Sequence, residues 1–192
     1  MITGFANHAG TTPMADRQDA MLAAAHLTIA VRDAVTMVPG RQVGTVGQIE
    51  LTPNSPNVIP GGARLSIELR DLSSRKLAGI IQDIRARAGE IAASTRTTIE
   101  FTQTMAAEAA TATTDVQSAI ERACGSLRLT HSRLPSGAGH DAQNMALVGP
   151  MGMIFVPSVG GVSHSPKELT RWDDCAKGVD VLLRTVLEVD RL

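Results

Sequence analysis

A handful of residues stand where side-chain chemistry could be organised. His8 lies in a loop of Gly, Thr and Pro, His8-Ala-Gly-Thr-Thr-Pro13, just after a strand-like stretch. An imidazole there can donate to an oxyanion or hold a substrate; the plainer reading is a solvated loop histidine or a cap for the next helix. Asn57 sits between two prolines and reads as turn chemistry. Arg70 ends an alternating strand, where it either pairs with Glu68 or Asp71 or clamps a substrate carboxylate in bidentate fashion. Ser136-Gly-Ala-Gly-His-Asp141 carries two glycines that allow close backbone approach. It opens a helix, so its amides could face an anion. His164, in Ser163-His-Ser-Pro-Lys-Glu168, follows a Gly-Gly turn after a very apolar run. Functional side chains gather at the carboxyl ends of strands in α/β proteins, and a histidine there could be a metal ligand, although one histidine does not make a metal centre. A serine nucleophile at Ser136 or Ser163 is disfavoured, because no G-x-S-x-G elbow is present.

The elements that must position these residues follow from periodicity. Ile2 to Ala6 reads as a short strand, and Asp16 to Val38 as a helix stopped by Pro39-Gly40. Val43–Leu51 and Arg64–Leu69 alternate as strands, separated by the turn-rich stretch from Asn54 to Gly62. Ser73 or Ser74 caps a second long helix reaching Ala93, with Leu77, Ile80, Ile84, Ala88 and Ile91 on one stripe. Thr97 to Thr104 alternates as a fourth strand. The order strand, helix, strand, strand, helix, strand predicts a ferredoxin-like βαββαβ unit, a four-stranded antiparallel sheet under two helices, over residues 1–110.

Residues 111–192 read differently. An Ala/Thr-rich linker leads to a helix over Asp115–Cys124, capped by Thr113 or Thr114, then a loop and a short helix through Leu147. Met151–Pro157 is predicted as a buried-type strand and Trp172–Leu187 as a final amphipathic helix. About eighty residues with one very apolar strand cannot easily bury it alone, so this piece reads as part of something larger, with the Met151–Val156 run exposed.

Composition narrows the function classes. Net charge is −1 with no basic block, which argues against nucleic acid and anionic membranes as partners. Apolar residues make up 43% and aromatics only 2%, so the core must be built from Ala, Val, Ile, Leu and Met. Two distant cysteines, Cys124 and Cys175, suit a reducing compartment. No signal-like or membrane-spanning run is seen, and a cytoplasmic location is expected.

Taken together, several of these stretches resemble one family. Gly4-Phe-Ala-Asn-His-Ala-Gly-Thr-Thr-Pro-Met14, followed by Arg17-Gln-Asp-Ala20, is similar to the start of the lid in the M20-type hydantoinase/carbamoylase amidases, which include N-carbamoyl-L-amino-acid hydrolases and allantoate amidohydrolases. Pro53-Asn-Ser-Pro-Asn-Val-Ile-Pro-Gly61, Leu69-Arg-Asp71, Ser136-Gly-Ala-Gly-His-Asp-Ala142 and Ser163-His-Ser-Pro-Lys-Glu168 match later motifs. The resemblance implies an α/β metallohydrolase: a lid and dimerisation domain over 1–110 and a C-terminal segment of the catalytic domain over 111–192. It implies His8 as a catalytic oxyanion donor reaching into a partner subunit, with Asn57, Arg70 and the Gly139 backbone binding substrate. His164 becomes a metal ligand; His140 gains no such role from the resemblance and is left as a supporting residue. It further implies a ureido-acid substrate, a homodimer formed edge to edge through the lid, and a divalent metal, zinc or manganese.

Two departures stand out. Glu68 stands where many family members have Asp, and the His-x-Asp motif and Glu-Glu pair that hold most of the family's metal have no counterpart in these residues. The expectation is therefore a truncated or split amidohydrolase, inactive alone. The alternative is a non-catalytic dimerisation or ureido-acid-binding module.

Overall fold

The structure, a computed structural model, describes residues 1–190, and the chain divides into two compact units, Met1–Ala109 and Ala110 onward. The first unit contains β1 (Ile2–Thr3), β2 (Asn7–His8), α1 (Ala20–Thr36), β3 (Val43–Thr52), β4 (Val58–Ile59), β5 (Gly62–Arg70), α2 (Ser74–Thr95) and β6 (Thr98–Ile99). Four strands form one sheet in the order β3-β5-β1-β6, every neighbouring pair antiparallel. β2 and β4 form a separate two-stranded ladder.

The core of this unit explains how a chain so poor in aromatics folds. Ile2, fully buried, pairs with Ala63 on one side and Ile99 on the other. α1 lays Ala20, Ala23, Ala24, Leu27, Val31, Ala34 and Val35 against the sheet, and α2 adds Ile80, Ile84 and Ala88. Small alanines let the helices approach closely, and each buried Leu, Ile or Val contributes about 1.5–3 kcal/mol.

Three boundaries differ from the sequence reading, each for a local reason. α1 starts at Ala20 rather than Asp16. Asp19 is the residue that caps it, its Oδ1 accepting from the amides of Met21 at 2.9 Å and Leu22 at 3.1 Å, while Met14–Asp16 forms a 3₁₀ turn. The strand expected over Ile2 to Ala6 ends at Thr3: the Gly4 amide donates to Gly61 O at 2.8 Å, and a separate short strand, β2, begins beyond the expected span at Asn7. A Cβ on Gly4 would stand 2.0 Å from Gln18 O, so the chain passes there only without a side chain. The expected strand over Thr97–Thr104 shrinks to Thr98–Ile99, because β1 offers only two residues to pair with it. Phe101 beyond it packs at the core edge, under the Arg85 guanidinium at 5.2 Å. α2 begins as expected, with Ser73 Oγ accepting from Lys76 N.

The second unit contains α3 (Thr114–Ser126), α4 (Asp141–Met145) and α5 (Trp172–Val189). α3 and α5 meet through Ala123, Cys124 and Val181, with Ile120, Leu127 and Ile154 alongside. Met151–Pro157 does not form the expected strand. A strand requires a neighbour's amides and carbonyls, and none of the described residues of this unit supplies one. The segment instead lies across the helices. Met151 O accepts from Thr113 N at 2.8 Å, Gly152 abuts Val116, and Gly178 makes room for Val156. Phe155, Val179, Leu182, Leu183, Val186 and Leu187 stay exposed, beside a groove of about 520 Å³ lined by Val116, Ile120, Ile154, Leu182 and Val186. Among the described residues, no helix is long and apolar enough to cross a membrane.

Candidate functional site

His8 and Asn57, 49 positions apart in the sequence, are brought side by side by the short ladder of β2 and β4. Asn7 pairs with Ile59, His8 pairs with Val58, and the Ala9 amide then donates to Asn57 O at 2.9 Å. The crossing that delivers them relies on Gly61 as well as Gly4, since a Cβ on Gly61 would come within 2.7 Å of Ala6 N.

His8 is exposed, yet its polar atoms are held almost completely. Its amide donates to Asn7 Oδ1 at 2.8 Å. Its carbonyl accepts from Thr12 Oγ1 at 2.8 Å and from the Thr12 amide at 3.2 Å. Its ring Nδ1 accepts from the Gly10 amide at 3.0 Å. An Nδ1 that accepts carries no proton, so the neutral ring carries its proton on Nε2. Among the described residues nothing engages Nε2, which leaves an N–H donor aimed outward from a held loop. Asn57 shows a comparable economy: its Oδ1 accepts from Ser55 Oγ at 2.8 Å, and its amide NH2 has no partner among the described residues.

Arg70 is not part of this cluster. It ends β5 opposite Val43, whereas His8 and Asn57 lie beyond the Gly62 end of the same strand. Eight residue steps at about 3.3 Å place roughly 26 Å of strand between Gly62 and Arg70. Arg70 therefore does not converge on Asn57 within one chain, as a joint carboxylate clamp would require. Its Nε donates to Glu68 Oε1 at 2.9 Å. Both partners are largely exposed, and such pairs contribute only about 0–1 kcal/mol, so an incoming carboxylate can compete for the guanidinium. Asp71 turns the other way, to Lys76 Nζ at 2.9 Å. That hydrogen bond, aided by the Ser73 amide, holds its carboxyl below the ordinary value of 3.8.

In the second unit, Gly139 lies in an exposed loop ahead of the five-residue α4. The idea that this loop offers amides to an anion is weakened by Ala138, whose amide donates to Ser136 Oγ at 3.2 Å. His140 is half-buried. Its Nε2 lies 2.7 Å from Ser136 Oγ and its ring meets Phe155 edge-on at 5.8 Å. His164 sits in the left-handed region at φ 55, after Gly160 and Gly161 at φ 68 and 67. A non-glycine residue held there stores strain that recurs at functional positions. Its amide donates to Glu168 Oε2 at 2.8 Å, and the loop is closed by Val159 N donating to Leu169 O. Among the described residues, no group of three or more His, Cys, Asp or Glu could hold a metal ion, so His164 belongs to no such group there. Burial raises the thiol pKa of Cys124, which suits a core residue rather than a nucleophile.

The sequence reading missed the residues that hold His8. Arg17, half-buried, donates from its guanidinium to Ala9 O at 2.6 Å and Thr12 O at 3.2 Å. The available signal was its place in the motif Arg17-Gln-Asp-Ala20 directly after the histidine loop.

Comparison with known proteins covers nearly the whole chain. Residues 5–188 match the family model described as peptidase family M20/M25/M40. N-carbamoyl-L-amino acid amidohydrolase of Geobacillus stearothermophilus is 42% identical over 190 residues, covering 98% of this chain and 46% of that protein. Allantoate amidohydrolase of Escherichia coli (strain K12) is 32% identical over 181 residues, covering 94% of this chain and 44% of that protein. The crystal structure of AtUAH in complex with glyoxylate superposes with a TM-score of 0.90 at 36% identity, over 97% of this chain and 45% of that one. The chain thus spans just under half the length of these relatives, and its mixed α/β architecture with a small antiparallel sheet matches the solved structure over that span. A histidine loop, a Pro-flanked asparagine turn and a strained histidine turn, embedded in an alignment of this extent, make the chain a member of peptidase family M20/M25/M40.

Proposed function

We propose that this chain is the lid and a C-terminal catalytic segment of an amidohydrolase that cleaves the carbamoyl C–N bond of N-carbamoyl amino acids or allantoate. The observation that carries the reading is His8: an exposed imidazole whose backbone and Nδ1 are all engaged, with the Nε2 proton left to donate. Attack of water on a carbamoyl carbonyl creates a tetrahedral oxyanion, and a prearranged N–H donor is the group that stabilises it. Loss of one such donor costs about 10²–10³-fold in rate. Asn57 NH2, beside His8, and Arg70 supply donors for the ureido acid's polar ends, and the Gly139 backbone offers a further contact. The ferredoxin-like reading of the first unit rests on its β3-β5-β1-β6 order with two long helices.

The separation of Arg70 from His8 and Asn57 supports a shared site. A small ureido acid spans roughly 8 Å by ordinary bond lengths, far less than the strand between these groups. One substrate would therefore meet His8 and Asn57 from one chain and Arg70 from another, in a homodimer joined through the lid. The uncovered outer edge of β3 is the natural pairing surface for such a dimer. Toward a divalent metal the described residues offer His164 and no group of three or more ligands around it, too few donors for a metal centre by themselves.

The test is ammonia release from a panel of N-carbamoyl amino acids and allantoate by the polypeptide at the full length of its relatives, with and without His8→Ala. A loss of 10²-fold or more in kcat supports the reading. Unchanged turnover in the variant refutes the role of His8. Saturable binding with no turnover in the unaltered protein favours a non-catalytic ureido-acid-binding module.

A further inference from the structure

Arg17 belongs to no catalytic or substrate-binding set, yet it is the best-connected side chain around the candidate donor. Its guanidinium reaches back over the loop and bridges two carbonyls, Ala9 O at 2.6 Å and Thr12 O at 3.2 Å. Ala9 immediately precedes Gly10 and Thr12 follows it by two residues, and the Gly10 amide is the partner of His8 Nδ1. Thr12 also returns two bonds to the His8 carbonyl. The loop has four residues between His8 and Pro13 and is largely exposed, so without a brace its amides would turn toward water. Arg17 is itself anchored. Its own carbonyl accepts from Arg96 NH2 at 3.2 Å, and the same guanidinium group reaches Ala15 O. Arg96 is the left-handed C-cap of α2, at φ 55. A chain of contacts therefore runs from the end of a long, well-packed helix, through Arg96 and Arg17, to the loop that orients one imidazole.

We infer that Arg17 is the positioning residue for His8, bridging Ala9 O and Thr12 O so that the Gly10 amide engages Nδ1 and the ring proton is held on Nε2. The inference rests on the reading of His8 as an oxyanion donor for its functional meaning, but its physical content is the tautomer and can be measured without turnover. A planar guanidinium with several donors in a fixed fork can span two carbonyls, and an ammonium cannot do so with the same geometry. Gly10 is fitted to this arrangement: a Cβ there would lie 3.2 Å from His8 Cε1 and press on the ring.

The experiment uses the 192-residue chain, uniformly 15N-labelled, above the ordinary imidazole titration range, where the rings are neutral. Long-range 1H–15N spectra report the tautomer of each of the five histidines, and His8→Gln assigns the His8 signals by their loss. In the unaltered chain His8 is expected as the Nε2–H form, with the Gly10 amide exchanging at least tenfold slower than in an unfolded chain. In R17Q and in R17K the His8 nitrogen shifts should move toward the averaged values of a free-peptide histidine and the Gly10 protection should vanish. The other four histidines and the thermal midpoint should stay unchanged. Retention of a pure Nε2–H signal and a protected Gly10 amide in R17K or R17Q would overturn the inference, as would an unaltered chain in which His8 is not in the Nε2–H form. That last measurement can overturn the inference even if both variants fail to fold. Failure of the functional reading looks different: His8→Ala would leave turnover intact while the tautomer result stood.

Discussion

If Arg70 and His8 serve the same substrate from different chains, two defective proteins should repair each other. The perturbation is a pair of full-length variants, His8→Ala and Arg70→Ala, carrying different affinity tags, co-expressed and purified through both tags so that only mixed dimers remain. Each variant alone should be poor. Loss of the His8 donor costs about 10²–10³-fold, and loss of a charge-assisted bond worth about 1.5–3 kcal/mol costs about 10–150-fold. In the mixed dimer, one site receives His8 from the Arg70 variant and Arg70 from the His8 variant, and is intact; the other site lacks both. The expected rate of ammonia release is therefore about half that of the unaltered dimer, far above either parent, as two-fold symmetry requires. The shared site itself follows from the roughly 26 Å of β5 between Gly62 and Arg70, which no single small substrate can bridge. A mixed dimer no faster than the mean of its parents would refute the shared site and require a rearranged lid in which one chain supplies both groups.

Three further outcomes are expected. Ile2→Ala removes the fully buried centre of the four-stranded sheet and should cost about 2–5 kcal/mol in denaturant unfolding of the first unit; a loss below 1 kcal/mol would mean the sheet centre repacks. Asp71 is held below its ordinary pKa by Lys76, so its contribution is present above about pH 4 and is lost as pH falls through the lowered folded value. Asp71→Asn should accordingly narrow its stability gap from the parent in acid, and parallel pH curves would show that the Lys76 bond carries no linkage. The exposed stripe of Leu182, Leu183, Val186 and Leu187 should bind a hydrophobic dye, with binding cut at least by half in Leu183→Gln/Leu187→Gln; undiminished binding would locate the sticky surface elsewhere.

Much of the first unit was legible because its signals are local. The 3.6-residue stripes of α1 and α2, the Ser73 cap and the alternation of β5 each depend on neighbours a few residues apart. What failed depended on a distant partner. Thr97–Thr104 alternates well, yet a strand extends only as far as its neighbour, and β1 stops after Thr3. Met151–Pro157 is apolar enough for a central strand, but a short apolar run does not say whether a ladder is available beside it. The same division holds for the site. The residue types at His8, Asn57 and Arg70 could be read one by one, whereas the pairing of the first two through β2 and β4, and the distance of the third, exist only once the register of Gly62 against Thr3 is set. Arg17 could be read only as part of a motif, because bridging backbone carbonyls leaves no pattern in side-chain identities that would reveal its role.

The crossing at Gly4 and Gly61 has a consequence for the genetics of this protein. The obstacles to a Cβ at these positions are backbone atoms, Gln18 O at 2.0 Å and Ala6 N at 2.7 Å, not flexible side-chain tips. Every missense change from a glycine codon adds at least a Cβ, so neither codon has a neutral amino-acid neighbour. A library of single substitutions selected for function should be as empty at these two positions as at His8, although neither glycine touches substrate. Their intolerance would be inherited from the geometry of the strand crossing that delivers the histidine.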